Sequence, residues 1–370
     1  MPLIHSYAVW NNKGGVGKTT LTFHLACRYA EWHPNRRILC IDACPQASLS
    51  MTLLSSQAQH GSNHVATLSR TEVQRGGQPV ANVARTIAGY LLSASTIGHA
   101  LPAAEVENFL VQPHQYNNYI PPNLYLLCGD GSLELLSRRL EADREIRPSG
   151  LDNPWKRITL LLKDFLRDVT ASNPTVDFVS FIDTNPAFNT YTEIAIAAST
   201  RLLCPIAPDD YSTAALKAMF ELVYGHTQPH PIFDAYREYT FAVKAENHLT
   251  LPRVHKIILN RSTMYDTRVC NAFSQMGIQA ATSCHAVFQT NPEYFEDAVG
   301  GAGADLSAFH GRFLENLADF HSVAVICSHV GRPLSQAQGT HTLVTDRVKV
   351  QLTQAQRYLA QLDTLVLSLD

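Results

Sequence analysis

The chain has no C-x-x-C pair among its eight cysteines, no run of eighteen apolar residues and no excess of one sign of charge. Cys27, Cys40, Cys44, Cys128, Cys204, Cys270, Cys284 and Cys327 fall mostly in apolar stretches instead. That is the pattern of reduced, buried thiols, and it points to a reducing cytosol. A charged-then-apolar opening is missing as well, so neither a signal peptide nor a spanning helix is expected, and a soluble, cytoplasmic protein is. With 29 basic and 32 acidic residues the net charge is −3. Bulk charge therefore does not announce a nucleic-acid binder, and any DNA site must be a local patch. Internal repeats are absent too. A length of 370 residues holds two or three average domains or one large α/β domain with insertions. Either way, a chain of this size buries roughly 75% of its unfolded surface without staples.

What is present is an alternation of apolar strands and amphipathic helices. Ser6–Trp10, Arg36–Asp42, Leu124–Cys128, Val176–Ile182, Arg201–Ala207 and Val254–Leu259 read as strands, several of them near-continuous apolar runs. Lys18–Trp32, Val80–Leu92, Leu133–Ile146, Trp155–Val169 and Val350–Leu367 read as helices. The alternation predicts an α/β fold with a mostly parallel sheet flanked by helices. Two stretches break the pattern. Residues 55–78 shift to Ser, Gln, His, Gly and Thr with almost no apolar periodicity, and residues 293–312 contain AVGGAGAD. Both are expected to be surface insertions, the first of them mobile, in a single domain spanning residues 1–370.

The sharpest feature is NNKGGVGKTTL, Asn11–Leu21, lying between the first strand and the first helix. Glycines permit backbone angles that other residues resist, so successive N–H groups can point inward as an anion cradle. The helix that follows adds the positive end of its dipole, roughly half a unit charge, and Lys18 adds a full one. Phosphate is the natural occupant, with Gly14, Gly15, Val16, Gly17, Lys18, Thr19 and Thr20 around it and the Thr19 hydroxyl directed to Mg²⁺. The plainer alternative is a glycine turn between strand and helix. The general pattern G-x-x-x-x-G-K-[ST] calls for glycine at position 12, where this chain has Asn12, followed by the additional Lys13.

KGGVGKTT resembles the deviant Walker A motif of the ParA/MinD family of P-loop ATPases. IDACPQASLS, Ile41–Ser50, is similar to that family's D-x-D-P-Q segment, and FIDTNPAFN, Phe181–Asn189, to its I-D-x-P-P Walker B segment. PIAPDDYS, Pro205–Ser212, and the strand ending in Asn260 and Arg261 resemble elements near the base and the dimer interface. The resemblance implies a P-loop NTPase fold and an ATP-dependent homodimer in which Lys13 reaches the partner subunit's phosphates. It further implies that Lys18 serves its own ATP, that Asp42 and Asp183 join Thr19 around Mg²⁺ through water, and that Asn260 and Arg261 lie near the adenine. Taken singly, Asp42, Asp183 and Asn260 also read as strand-end caps or turn residues.

One departure bears on mechanism. Where the family carries a second carboxylate to position the attacking water, this chain has Cys44, an alignment fixed by Pro45 and Gln46. A thiol with an ordinary pKa of about 8.5 is mostly neutral and accepts hydrogen bonds poorly. Loss of a positioned base typically costs about 10²- to 10⁴-fold. Tight ATP binding with slow or partner-dependent hydrolysis is the expectation; the alternative is that Asp183 or a partner residue aligns the water and turnover is ordinary for the family. A nucleophilic Cys44 lacks a paired histidine.

The resemblance also implies non-specific DNA binding in the ATP state and a ParB-like or other protein partner. Arg268 stands where the family often has a basic DNA contact; Arg312, Arg332, Arg347 and Lys349 are scattered further candidates that also read as solvated surface. Among sixteen histidines, the spaced pairs His60/His64 and His226/His230 lack neighbouring Cys or carboxylate ligands and read as exposed polar residues. The acidic ending QLDTLVLSLD does not resemble a membrane-targeting helix. Tyr358 alone is no tyrosine cluster, and no paired cysteines suit an iron–sulfur reductase. With the P-loop starting at residue 13, no helix-turn-helix domain is expected ahead of it. The leading expectation is a ParA-like switch that segregates or positions DNA or a protein cargo. The alternative is an ATP-bound scaffold that recruits a protein, with little hydrolysis and no DNA.

Overall fold

The computed structural model describes residues 3–370 apart from 57–58, 98–100, 151, 227–230, 247, 263, 266–267, 270, 297–303, 344–345 and 351. The apolar runs become an eight-stranded sheet. Its strands are β1 (Leu3–Val9), β2 (Arg36–Ala43), β3 (Leu110–Val111), β4 (Leu124–Leu127), β5 (Asp177–Thr184), β6 (Arg201–Ile206), β7 (Arg253–Ser262) and β8 (Leu314–Ala318). They lie in the order β8-β7-β6-β1-β5-β2-β4-β3, all neighbours parallel except the short β3, which pairs antiparallel with β4. Strands buried on both faces have no polar side to show, which is why they read as continuous apolar runs.

Side-chain alternation divides the core. Tyr7, Val9, Ile38, Cys40, Val179 and Phe181 face a layer formed by α1 (Lys18–Trp32), α2 (Ser48–Leu54), α3 (Gly61–Leu68), α4 (His321–Val330) and α5 (Leu352–Leu367). Leu39, Ile41, Phe178 and Ile182 face the opposite layer, which includes the helices Ile87–Ile97, Leu161–Ser172 and Thr190–Ala198. Ala8, Trp10, Leu202 and Ile257 extend that side beneath the helices Asp210–Tyr224 and Asn271–Thr290. The C-terminal segment is tied to the sheet: Tyr7 Oη donates to Leu369 O at 2.6 Å, and Arg201 donates to both Tyr7 Oη and Leu369 O.

Three stretches differ from the sequence expectations. Residues 80–84 are extended, not helical, because Gln78–Ala84 pairs with Glu72–Arg75 in a hairpin whose turn residues, Gly76 and Gly77, both have positive φ; the helix starts at Ile87. Two positive-φ residues in a two-residue loop are a strong hairpin determinant, and they override the helical spacing that follows. Within 55–78, Gly61–Leu68 is helical and Glu72–Arg75 is a strand. There α3 docks so closely on α2 that a Cβ at Gly61 would lie 1.9 Å from Met51 O. The expected irregular stretch 293–312 contains most of the helix Leu306–Phe313, with 297–303 outside the described residues.

Candidate functional site

β1 ends at Val9 and α1 begins at Lys18, so Trp10–Gly17 must turn the chain into the helix at the C-terminal edge of the sheet. In open α/β sheets that edge, flanking a strand where chain direction splits, is the binding crevice, and β1 lies between β5 and β6 there. Gly15 and Gly17 take positive φ of 75° and 83°. At Gly17 a Cβ would also fall 2.4 Å from Asn260 Nδ2, so glycine is required twice over. Asn11 braces the loop from below: its Nδ2 donates to Pro205 O at 2.9 Å and its Oδ1 accepts the Lys13 N–H at 2.8 Å. Lys18 is buried and turns back into the loop, its Nζ donating to the carbonyls of Asn11 at 3.0 Å and Lys13 at 2.9 Å. Burial lowers its pKa, opposed by nearby Asp183.

The carboxylates arrive by strand register. β2 and β5 run side by side with Asp42 opposite Asp183, and period-2 alternation aims both toward the α1 layer. Both are fully buried. Asp42 Oδ2 accepts the N–H of Ser50 at 2.8 Å and its hydroxyl at 2.7 Å. Thr19 Oγ1 donates to Asp183 Oδ2 at 2.7 Å, while Asp183 Oδ1 is buried with no hydrogen-bond partner. Burial raises the pKa of both carboxyls, and for Asp183 the proximity of Asp42 adds to the rise. Two buried, mutually repelling carboxyls and an orphaned oxygen beside a threonine hydroxyl fit a small divalent cation, which would replace the missing partner and neutralise the pair. Cys44 lies two residues beyond Asp42 and is 7% exposed. Burial pushes its thiol up to about 11, with Asp42 adding to the effect. Asn185, two residues beyond Asp183, donates to Cys44 Sγ at 3.7 Å.

Residues 4–228 match the AAA domain family, more than half of the chain. The chain is a ParA/MinD-like member of that family. Among solved structures the ATPase is similar to apo McdA of Cyanothece, with a TM-score of 0.53 and 14% identity over 90% of this chain and 92% of that one. A Cyanothece McdA variant in complex with ATP gives a TM-score of 0.52 and 15% identity over 90% of each chain. At such identities the likeness is one of fold. No curated protein matches the sequence.

The Lys13 backbone belongs to the loop, but its side chain is engaged elsewhere. Its ammonium pairs with Asp209 and lies 5.6 Å from the centre of the Tyr211 ring, which is itself largely exposed. Asp209 also caps the helix Asp210–Tyr224, its carboxylate accepting the Ser212 N–H at 3.1 Å. Beside the P-loop is a cavity of about 530 Å³ lined by Gly15, Gly17, Thr20, Asn260, Asp319 and Phe320, among others. Asn260 Nδ2 donates to Val16 O at 2.8 Å, tying the end of β7 to the loop. The side chain of Arg261 is outside the described residues. Asp319 and Phe320 carry no motif in the sequence, and only tertiary packing brings the segment after β8 to this cavity. Asn185 was not singled out from the sequence either, although the signal existed: FIDTNPAFN has an amide where the family pattern has proline.

The DNA candidates lie on separate elements. Arg268 falls in a two-residue strand and its side chain is outside the described residues. Arg312 is half-buried near the end of the helix Leu306–Phe313, with its guanidinium 5.6 Å from the Phe313 ring centre. Arg332 stacks on Tyr119 at 3.9 Å and donates to its hydroxyl. Arg347 and Lys349 lie on one strand of the hairpin Gly339–Leu343/Asp346–Val350, with both side chains exposed. Of the histidines, His60 is exposed, His226 is half-buried beside the Tyr294 ring, His64 packs on Tyr116, and His230 is outside the described residues. Among the described residues no three His, Cys, Asp or Glu side chains converge as a metal cluster, and no helix is long and apolar enough to cross a membrane.

Proposed function

We propose that this ParA/MinD-like ATPase is an ATP-dependent dimeric switch that segregates or positions DNA or a protein cargo, binding non-specific DNA in its ATP state. Its 370 residues act as one P-loop domain with insertions at 55–78 and 293–312. The observation that carries the proposal is the convergence of Lys18, Thr19, Asp42 and Asp183 at one strand edge, while Lys13 is held apart from them on Asp209. Lys18, now satisfied only by carbonyls of its own loop, would exchange them for phosphate oxygens, and the loop N–H groups from Gly14 to Thr20 would cradle the same anion. Thr19, Asp42 and Asp183 would hold Mg²⁺, which supplies neutralisation of phosphate charge. Asn260 and Arg261 would sit at the base end, next to the cavity at Phe320. The ATP complex of the McdA variant is in keeping with nucleotide binding in this fold.

Lys13, at the rim, would cross to the partner subunit's phosphates. With Cys44 neutral, hydrolysis is expected to be slow or to be stimulated by a ParB-like or other protein partner. A second reading, a protein-recruiting scaffold without DNA binding, is favoured by the dispersed basic candidates, of which Arg332 is already engaged by Tyr119.

The test is the mass of the protein with and without Mg²⁺ and ATP, alongside duplex-DNA binding. A dimer only with ATP, lost in Lys18→Ala, is expected. DNA binding should require ATP and weaken steeply between about 50 and 200 mM salt. An ATP dimer that ignores DNA selects the scaffold, and failure to bind ATP overturns both readings.

A further inference from the structure

At the mouth of the site one polar side chain takes no part in holding phosphate or metal. β2 and β5 are in register through Ala43 and Thr184, and one step beyond that last pair Cys44 and Asn185 leave the sheet together. Alternation puts both on the side of Asp42 and Asp183. Asn185 is fixed from several directions. Its carbonyl accepts the Trp10 Nε1–H at 3.1 Å, its Oδ1 accepts the Ala187 N–H at 2.9 Å, and its Nδ2 donates to Cys44 Sγ at 3.7 Å. Trp10 is fully buried and immediately precedes Asn11 of the loop, so its bond to the Asn185 backbone carbonyl ties the residue to the start of that loop.

A primary amide offers two N–H donors and an oxygen with two lone pairs. One donor goes to Cys44 and one lone pair to Ala187, which leaves one donor and one acceptor on a half-buried, immobilised group. That is the complement a single water molecule needs. The neighbouring thiol is a weak donor and a weak acceptor, and it cannot order water alone.

We propose that Asn185 orients the attacking water in this ATPase, with Cys44 as a positioning residue that holds the amide. The inference rests on the nucleotide-switch reading above. In the step, the water oxygen bonds to the γ-phosphorus as the bond from that phosphorus to the β,γ-bridging oxygen breaks, and its electron pair leaves with ADP. The water proton passes to a γ-phosphate oxygen, and Asn185 changes neither charge nor protonation. Orientation without proton abstraction suits a loose phosphoryl-transfer transition state, in which positioning matters more than basicity.

The experiment is single-turnover hydrolysis of Mg²⁺-ATP by the full chain, with equilibrium binding of the non-hydrolysable analogue AMPPNP measured in parallel. Removing one hydrogen-bonding group that acts on the transition state typically costs about 10²- to 10³-fold, so Asn185→Ala should slow turnover at least about tenfold. Its analogue affinity should stay within about threefold of wild type, which also certifies its fold. Asn185→Ala in a Cys44→Asp background should matter far less, because a carboxylate then holds the water. Wild-type turnover in Asn185→Ala with unchanged analogue binding overturns the inference, as does a wild type that binds the analogue and never hydrolyses ATP. Failure of wild type to bind the analogue is a different result: it removes the nucleotide-switch reading and this inference with it.

Discussion

Asp42 and Asp183 are the residues on which pH acts most directly. Burial raises both carboxyl pKa values above their unfolded values, so the folded chain retains protons that the unfolded chain releases. Their contribution to nucleotide-free stability is therefore full below about pH 4 and is lost as pH rises through the raised values. A divalent cation needs the ionised forms, so its binding releases protons and strengthens with pH. Thermal unfolding should show the upshift from Mg²⁺-ATP growing between about pH 6 and pH 8, the range through which the raised carboxyls ionise. Asp183→Asn should raise the nucleotide-free midpoint at the upper end of that range and abolish most of the upshift. A pH-independent upshift in wild type would contradict the pairing of these carboxyls with the metal. Lys18 follows a similar logic, being buried and satisfied only by loop carbonyls, so Lys18→Ala should remove nucleotide binding with little loss of fold.

Among the elements, the junction of α2 and α3 is tightly packed next to the site. A Cβ at Gly61 would lie 1.9 Å from Met51 O, so Gly61→Ala must push two helices apart. Overpacking of this kind costs about 1–3 kcal/mol. With an unfolding entropy of about 2.1 cal/mol/K per residue, each kcal/mol lowers the midpoint of a 370-residue chain by about 1–2 °C, which a thermal scan resolves. Gly17→Ala is expected to be worse for function than for stability, since φ is positive and Asn260 stands in the way. It should abolish nucleotide binding while leaving the circular dichroism spectrum near wild type. The strands were legible because burial on both faces writes near-continuous apolar runs, and α1 because Leu21, Leu25, Ala26 and Tyr29 recur at helical spacing. α3 and the hairpin Glu72–Arg75/Gln78–Ala84 were not, because a glycine contact and a hairpin turn decide them, and neither leaves an apolar period.

For the whole molecule the decisive contact is Lys13 with Asp209. On the proposed dimer, Lys13 must leave its own subunit's Asp209 to reach the partner subunit. An ion pair that is partly open to solvent, as this one is, is worth about 1 kcal/mol, so releasing it changes association only several-fold. Asp209→Asn retains the helix cap through the side-chain oxygen and removes the charge. ATP-dependent dimers should then form at lower protein concentration, measured by sedimentation, whereas Lys13→Ala should form none. Equal dimerisation by Asp209→Asn and wild type would assign the ion pair to local structure alone.

The sequence by itself determined the mostly parallel α/β architecture, the run Gly14–Gly17 ahead of Lys18 and the first helix, and the places of Asp42 and Asp183 near their strand ends. Each is written in local terms: apolar runs between turns, glycines before Lys-Thr, and carboxylates at strand ends. Only the tertiary structure decided that Asn185 lies against Cys44, that Asp319 and Phe320 line the cavity beside Asn260, and that Lys13 rests on Asp209. These contacts join residues far apart in the chain, and they depend on strand order and register, which no local pattern encodes.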